Sequence, residues 1–557
     1  MLEMYSEADS EIAGPLIPLR DGTAVTVRHR GILSKPEKST VIAFGFLLVV
    51  SFVAFWAFAL SHLQFPASGW QLILGVTALL AFGVCEFLRV LQGAFLMVCT
   101  WFAKNPVPLS APPGLRVAIL TTIVPSKEPL SIVARTLAAM KKIQYPGGTV
   151  DVWILDEGDD DAVKAVCAEL DVKHFTRKGK PQYHQNRGPF RTKTKAGNHN
   201  SWRDNHERDY DVVAQMDPDH MPFPNFLERT LGFFRDPNVG FVVAPQVYGN
   251  LNSCFVAKGA AEHAYIFHGI IQRAGGAIGS PILIGTNHLY RTRAWDSMGG
   301  YQDCIIEDHL TSMHCHGTIN PATGHKWKGV YTPDILSIGE GPTSWSDYFT
   351  QQERWAYGIA EILLKHSSRM LPKVAPIQAL FYGTVQLFYP GVAVTFLLSL
   401  FLCLVTVLLG ARPVFLHGNM VTFVGLWALG LLTQMGFFLY MQRFNLTAGE
   451  RASSCKVAML LTLLTAPVYT SAFVQLLLGK RLGYVVTPKG TASTANSWRT
   501  FIPHMAGLAL YAPVMLAAAI SNNSTGMFWS FFTSVTLAPL PAAVLISTLK
   551  SKWSGNV

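Results

Sequence analysis

Apolar residues fall along this chain in two rhythms. Towards both ends they run unbroken for the length of a bilayer, and in the middle they come as short bursts between polar turns. The first long run extends from about Thr40 to Leu60 and the second from Trp70 to about Phe87, joined by the uncharged stretch 61–69. Each is long enough to cross a hydrocarbon core, and the first is too long and too far from the N-terminus for a cleaved signal peptide. Arg20, Arg28, Arg30, Lys35 and Lys38 precede the pair, while Arg89 and Lys104 follow it. That asymmetry predicts a cytoplasmic N-terminus and a cytoplasmic return after residue 104.

Between residues 115 and 370 the rhythm shortens. Leu115–Val124, Val150–Leu155, Asp211–Met216 and Val239–Ala244 read as buried strands, and Glu128–Ile143 places Val133, Leu137 and Met140 on one helical face. Strand, helix, strand predicts a parallel sheet in an α/β domain, with a ligand at the carboxyl ends of the strands. After His366 the long runs resume: 392–409, about 421–440, 457–478, 505–520 and 528–549. Arg451 and Lys456 precede the run 457–478, and Lys480, Arg481 and Lys489 follow it. Basic flanks on both sides predict that it lies along the cytoplasmic surface or re-enters. The expected organisation is a cytoplasmic segment 1–38, two spans in 39–103, a cytoplasmic domain 104–370, and interfacial helices, about four spans and a loop 483–490 in 371–557. Both termini are then cytoplasmic.

Composition agrees with this division. Half of the 557 residues are hydrophobic, 14% are charged and the mean hydropathy is +0.27. The net charge of +10 sits largely beside apolar runs, which argues against nucleic acid as a partner. Eight scattered cysteines include no CxxC pair, and His309, His314, Cys315, His316 and His325 lack structural-zinc spacing, so neither a disulfide framework nor a zinc site is expected.

The candidate chemistry lies at strand ends and beside the second membrane region. Asp217 and Asp219 follow a strand and reach a ligand from one turn, and hard carboxylate oxygens suit Mg²⁺ or Mn²⁺ beside a diphosphate. Asp156 and Glu157 end another strand, where they either hold a base or ribose or, for Asp156, cap a helix. Lys195 supplies a positive charge within Lys193–Asn198, next to Gly197. Glu307 and Asp308 follow an apolar pair; Asp308 accepts a hydroxyl proton if it faces a cleft, or both acids simply favour a helix start. In Gln351-Gln352-Glu353-Arg354-Trp355 an aromatic face adjoins a guanidinium, suited to a sugar ring and a phosphate or to an interfacial anchor. The loop from Tyr484 to Gly490, with Thr487 and Lys489, is a juxtamembrane linker or a lid.

In order, Asp156-Glu157-Gly158, Lys195-Ala196-Gly197-Asn198, Asp217-x-Asp219-His220, Glu307-Asp308 and Gln351-x-x-Arg354-Trp355 form a series. The series resembles the processive family 2 glycosyltransferases, the group of cellulose, chitin and hyaluronan synthases, over about residues 117–490. The loop Tyr484–Lys489 resembles the Phe-x-Val-Thr-x-Lys gating loop of bacterial cellulose synthases. The resemblance implies an integral membrane α-helical protein with a cytoplasmic α/β GT-A glycosyltransferase domain, in the inner (plasma) membrane. It further implies that Asp156, Glu157, Lys195, Asp217, Gln351, Arg354, Thr487 and Lys489 contact a UDP-sugar, with Asp219 and Asp217 at Mg²⁺ or Mn²⁺. Asp308 is then the general base, and Trp355 and Glu307 meet the acceptor. The expected partners are the donor, a growing polysaccharide, the bilayer and accessory export subunits.

Three departures stand out: Glu157 where Asp is usual, Tyr484 where Phe is usual, and Gln352 where Arg is common. The chain also ends soon after its last apolar run, so no cyclic-di-GMP-binding barrel is expected. The expected activity is inverting, processive polymerisation of UDP-glucose into an exported β-glucan. The alternatives are a chitin- or hyaluronan-like synthase using UDP-GlcNAc, transfer of one sugar to a lipid, and a transporter or scaffold with a degenerate domain.

Overall fold

The computed structural model describes residues 7–63, 69–410, 419–483, 494, 496–521 and 536–542. Its central layer is a seven-stranded sheet built from β1 (Arg116–Ile123), β2 (Thr149–Asp156), β3 (Lys173–Phe175), β4 (Val212–Gln215), β5 (Val239–Val243), β6 (His288–Arg291) and β7 (Lys328–Tyr331). The order across the sheet is β7-β5-β6-β4-β1-β2-β3. The sheet is parallel as expected except at β6, which enters antiparallel between β4 and β5. β3, β6 and β7 are short strands that the apolar pattern did not announce.

Side-chain alternation along β1 and β2 builds a core on each face. Val117, Ile119, Val152 and Ile154 join one cluster, covered by Val133, Leu137 and Met140 of the helix Leu130–Met140. Ala118, Leu120, Trp153 and Leu155 join the other, against Trp202 of α3 (Lys195–His206, numbering the helices used here in chain order). With both faces covered, the sheet offers its edges and strand ends. The loops at one end carry the acidic residues.

Six helices are long and apolar enough to cross a membrane: Lys35–Ser61, Trp70–Phe102, Phe388–Leu408, Val421–Phe444, Lys456–Leu477 and Trp498–Ile520. In the order of the chain, α1 is Lys35–Ser61 and α2 is Trp70–Phe102; α4 is Phe255–Ile266, α5 is Glu307–Gly317 and α6 is Trp345–Lys365. Then follow α7 (Phe388–Leu408), α8 (Met420–Met441), α9 (Lys456–Leu477) and α10 (Ile502–Ile520). Most of the run 528–549 lies outside the described residues. By length and composition α9 qualifies as a span, against the reading from its basic flanks. Its packing is nevertheless distinct: more than half of its apolar stretch is buried, against α4, α6 and α7. Glu262 of α4 accepts from the Ala458 amide at its start (3.0 Å), and the Tyr357 hydroxyl of α6 donates to the Lys480 carbonyl just past its end (2.9 Å). Both ends of α9 are thereby tied to helices that pack on the catalytic layer.

One charged pair sits among the apolar helices. Arg89 of α2 donates to Glu86 (2.6 Å) and to Gln434 of α8 (2.7 Å), and Trp427 of α8 donates to Glu86 (2.9 Å). A side chain on Gly93 would collide with Gln434, so that glycine makes room for the network. Removing one member of a buried pair leaves the other uncompensated. Glu86→Ala should lower stability by about 3–5 kcal/mol, read as the thermal unfolding midpoint in detergent, and Glu86→Leu combined with Arg89→Leu should recover most of the loss.

Candidate active site

The loops after β1, β2 and β4 and before β6 meet at one end of the sheet. At the end of β2, Asp156 is fully buried. Its oxygens accept from the Gly158 and Asp160 amides (both 2.7 Å) and face His174 Nε2 (3.1 Å). Burial pushes its carboxyl up, but His174 and the two amides outweigh burial and hold it below the ordinary range. The side chain that caps the following helix is Asp160, through the Ala162 and Val163 amides (2.8 and 3.3 Å), so the capping alternative for Asp156 fails. Asp156 instead shapes the turn that presents Glu157, whose Oε1 accepts from Arg177 Nη2 at 2.5 Å. A cavity of about 400 Å³ opens here, lined by Val124, Pro125, Ser126, Glu157, Gly158 and Asp160.

At the end of β4, Asp217, Asp219 and His220 bring two carboxylates and an imidazole within 4.8 Å of one another, the one such group among the described residues. Asp219 Oδ1 faces His220 Nδ1 at 3.0 Å. The two hard carboxylate oxygens fit Mg²⁺ or Mn²⁺, with His220 beside them. Lys195, the first residue of α3, donates to Asp217 and to the Gly285 carbonyl. That carbonyl also accepts from Gln215 Nε2 (2.8 Å), whose Oε1 accepts from the Tyr301 hydroxyl (2.9 Å), which in turn meets His288 Nε2 (2.9 Å). With Tyr301 donating to Gln215, His288 donates to Tyr301. A buried chain of bonds thus holds the anchor of Lys195.

Glu307 and Asp308 open α5. Gly285 has φ +77° and comes so near that a Cβ there would lie 3.3 Å from Asp308 Oδ2. Burial and then the neighbouring Glu307 push Asp308 up to about 7, although the His309 amide, Lys195 and Arg354 pull it down. Glu307 is raised too, by burial, against Lys195 and Arg354. The two neighbouring acids repel each other, so each favours the other's protonated form.

Helix α6 is capped by Ser344, whose hydroxyl accepts from the Asp347 amide (3.1 Å). Gln351 is buried on it, and Arg354 and Trp355 are half-buried. Gly358 sets its distance from α5: an added Cβ would lie 2.6 Å from Ile306 Cγ1 and 2.8 Å from Ile305 Cγ2. Trp355 packs against the cluster containing Ile305 and Ile306. On another face Gln352 accepts from Tyr469 (2.9 Å) and Glu353 from Gln475 (2.7 Å), both on α9. Gln352 therefore serves the helix contact and not the acidic cluster.

Thr487 and Lys489 lie outside the described residues. The segment's flanks are both tied to α6, through Tyr357 to Lys480 as above and through the Thr494 amide to Asp347 Oδ2 (3.0 Å). The other candidates gather: Lys195, Asp217, Glu307, Asp308 and Arg354 lie close enough to act on one another's charge. Four participants were missed in the sequence: Arg177, Gly285, Gln215 and Tyr301. Glu128, at the carboxyl end of β1 where a ligand is expected, accepts from the Val124 amide (2.7 Å) and is pushed up to about 7 by burial, with Asp219 and Asp217 adding to it.

A mixed α/β sheet carrying carboxylates at its strand ends, flanked by membrane-length helices, defines a sugar-transfer domain of the GT-A type. The model for "Glycosyl transferase family group 2" matches residues 212–546, and the chain belongs to that family. It is 26% identical over 383 residues to the "Cellulose synthase catalytic subunit [UDP-forming]" of Xanthomonas axonopodis pv. citri (strain 306), covering 65% of this chain and 48% of that protein. It is 27% identical over 276 residues to the "Probable glucomannan 4-beta-mannosyltransferase 3" of Oryza sativa subsp. japonica, covering 48% of each. The chain spans about half the length of these curated relatives. Among solved structures, the mannosyltransferase PcManGT from Pyrobaculum calidifontis, in complex with GDP-Man and Mn²⁺, is 13% identical with a TM-score of 0.45, covering 73% of this chain and 99% of that one.

The contact at Gly358 is directly testable. Gly358→Leu should push α6 off α5, costing about 1–3 kcal/mol of stability and at least tenfold in sugar transfer, and Ile306→Ala in the same chain should restore part of both. Thermal unfolding and nucleotide release from a sugar nucleotide measure the two effects.

Proposed function

We propose that the chain is a processive, inverting glycosyltransferase that polymerises UDP-glucose into a β-glucan and passes it across the membrane. The observation that carries this reading is the convergence of Lys195, Asp217, Glu307, Asp308 and Arg354 beneath α6, a helix clamped to the apolar α9. A base near neutrality, cations for a leaving diphosphate and a membrane-side helix then meet at one point. Asp156 and Glu157 shape the nucleotide end of the cleft at the 400 Å³ cavity, and Gln351, Thr487 and Lys489 complete the donor site.

In the reaction Asp308 takes the proton of the acceptor hydroxyl, and that oxygen forms a bond to the anomeric carbon from the face opposite the diphosphate. The bond from that carbon to the diphosphate oxygen breaks, and the departing nucleotide carries the electron pair. Lys195 and Arg354 oppose the charge that develops there. Asp217, Asp219 and His220 would hold Mg²⁺ or Mn²⁺, which neutralises diphosphate charge when bound. Glu307 keeps Asp308 basic through repulsion and borders the acceptor, whose terminal sugar rests on Trp355. The catalytic domain and both termini are cytoplasmic, and α9 lies along that membrane surface, as its basic flanks and double tether favour.

A second reading is favoured by the relatives named as glucomannan mannosyltransferases: a GDP-mannose donor and a mannan product. Purified protein given UDP-glucose, UDP-GlcNAc or GDP-mannose with Mg²⁺ or Mn²⁺ separates these, once the product is digested with linkage-specific hydrolases. A long glucanase-sensitive chain from UDP-glucose is expected; a single added sugar would overturn processivity. Asp308→Asn should lower transfer by at least about a thousandfold while leaving UDP binding within a few-fold.

The pH profile follows from the acid pair. Asp308 works deprotonated, so kcat/KM should fall as pH drops through about 7. Glu307→Gln removes a charge that raises Asp308, and the acid limb should move to lower pH. An acid limb that stays in place would show that Asp308 is not the group being titrated.

A further inference from the structure

Five exposed cations crowd one end of the α1, α2 and α8 bundle: Arg30, Lys35, Lys38, Lys104 and Arg443. They come from separate stretches of chain brought together by the fold. The strand His29–Gly31 pairs with Lys104–Pro106, setting Gly31 opposite Lys104 where α2 ends. Lys38 lies over the Trp101 ring of α2 (5.7 Å), and Arg443 covers the Tyr440 ring at the end of α8 (4.1 Å). Among the described residues none of the five forms an ion pair of the kind that joins Lys328 to Asp236 (2.6 Å). The acid nearest the group, Glu37, spends its carboxylate on the Ser34 amide and hydroxyl (both 2.7 Å). His29, on the strand that pairs with Lys104, is pushed down to about 4 by burial first and then by Lys104 and Lys328.

Immediately along the same helices the surface turns apolar: Ile42, Phe46 and Val98 are 58%, 71% and 50% exposed. The other ends of α1 and α2 meet in the stretch 61–69, which holds no Lys, Arg, Asp or Glu. Five cations beside one acid and a tryptophan, set at one end of exposed apolar helices, match a lipid leaflet whose phosphates stand above its acyl chains. A free phosphate would use the cations and leave the apolar collar idle.

We propose that this ring binds the headgroup of an anionic phospholipid in the leaflet facing the catalytic domain. The proposal rests on reading α1, α2 and α8 as membrane-crossing and is independent of the donor, the product and Asp308. The full chain in mild detergent, exposed to equimolar phosphatidylglycerol and phosphatidylcholine, reports the preference by native mass spectrometry. Bound phosphatidylglycerol should exceed phosphatidylcholine by about tenfold. The variant Arg30→Gln/Lys38→Gln/Lys104→Gln/Arg443→Gln should lose that preference. Charge-keeping Arg30→Lys/Lys38→Arg/Lys104→Arg/Arg443→Lys should retain it, as should Lys142→Gln/Arg208→Gln/Arg293→Gln on the catalytic domain. Equal binding of both lipids by the unaltered chain, or a preference that survives the four Gln substitutions, would overturn the proposal. Sugar transfer is not needed for the readout, so an inactive preparation still decides it.

Discussion

Helix α6 can lie where it does because Gly358 presents bare backbone to Ile305 and Ile306. Those two isoleucines lead directly into Glu307 and Asp308, so the contact that seats the helix also seats the acid pair. From the same helix Arg354 acts on the charge of the pair, Trp355 packs on the apolar cluster that includes the isoleucines, and Gln352 and Glu353 turn away to α9. One close approach therefore sets the spacing of three parts: the acidic cluster, the aromatic platform and the apolar helices behind it.

Electrostatics inside that spacing are balanced and not saturated. Lys195 and Arg354 supply two positive charges near Glu307 and Asp308, and burial weighs against both of those carboxylates. Asp308 is left poised near neutrality, while Asp156, with three donors in a wholly buried turn, stays ionised. The two carboxylates thus differ because Asp156 has His174 and two amides to outweigh burial, while Asp308 faces burial and the charge of Glu307 with the His309 amide as its hydrogen-bond donor. Lys195 is itself held by a carbonyl that Gln215, Tyr301 and His288 support from below, which fixes where its charge acts.

The strands and helices with strong periodicity were legible in the sequence, and so was the order of the charged motifs. Asp217 follows an apolar strand and Glu307 an apolar pair, and each lands at the cleft. β6 and β7 were not legible: they are four residues long and carry His288, Arg291 and Lys328, which pattern analysis reads as loop. Their burial comes from neighbours distant in the chain. Arg177 was equally hidden, because a buried arginine is explained only by Glu157 and by carbonyls such as those of Tyr183 and Arg191, none adjacent to it in sequence. In α9 two signals compete, since its length and apolarity say span while its basic flanks say surface. Its tethers to Glu262 and Tyr357 are tertiary and leave no mark on its own residues.

Those tethers constrain motion as well as position. A catalytic layer that rocked away from α9 would have to break the bond at Ala458 and the bond at Lys480 together, along with the two side-chain bonds from Gln352 and Glu353. α4, α6 and α9 are therefore joined by four hydrogen bonds spread along α9. The separation of the acid pair from Trp355 is then set by how α6 is seated, at Gly358 on one side and along α9 on the other. A substrate in the cleft is accommodated by its own movement, because a change in that separation would strain both seats at once.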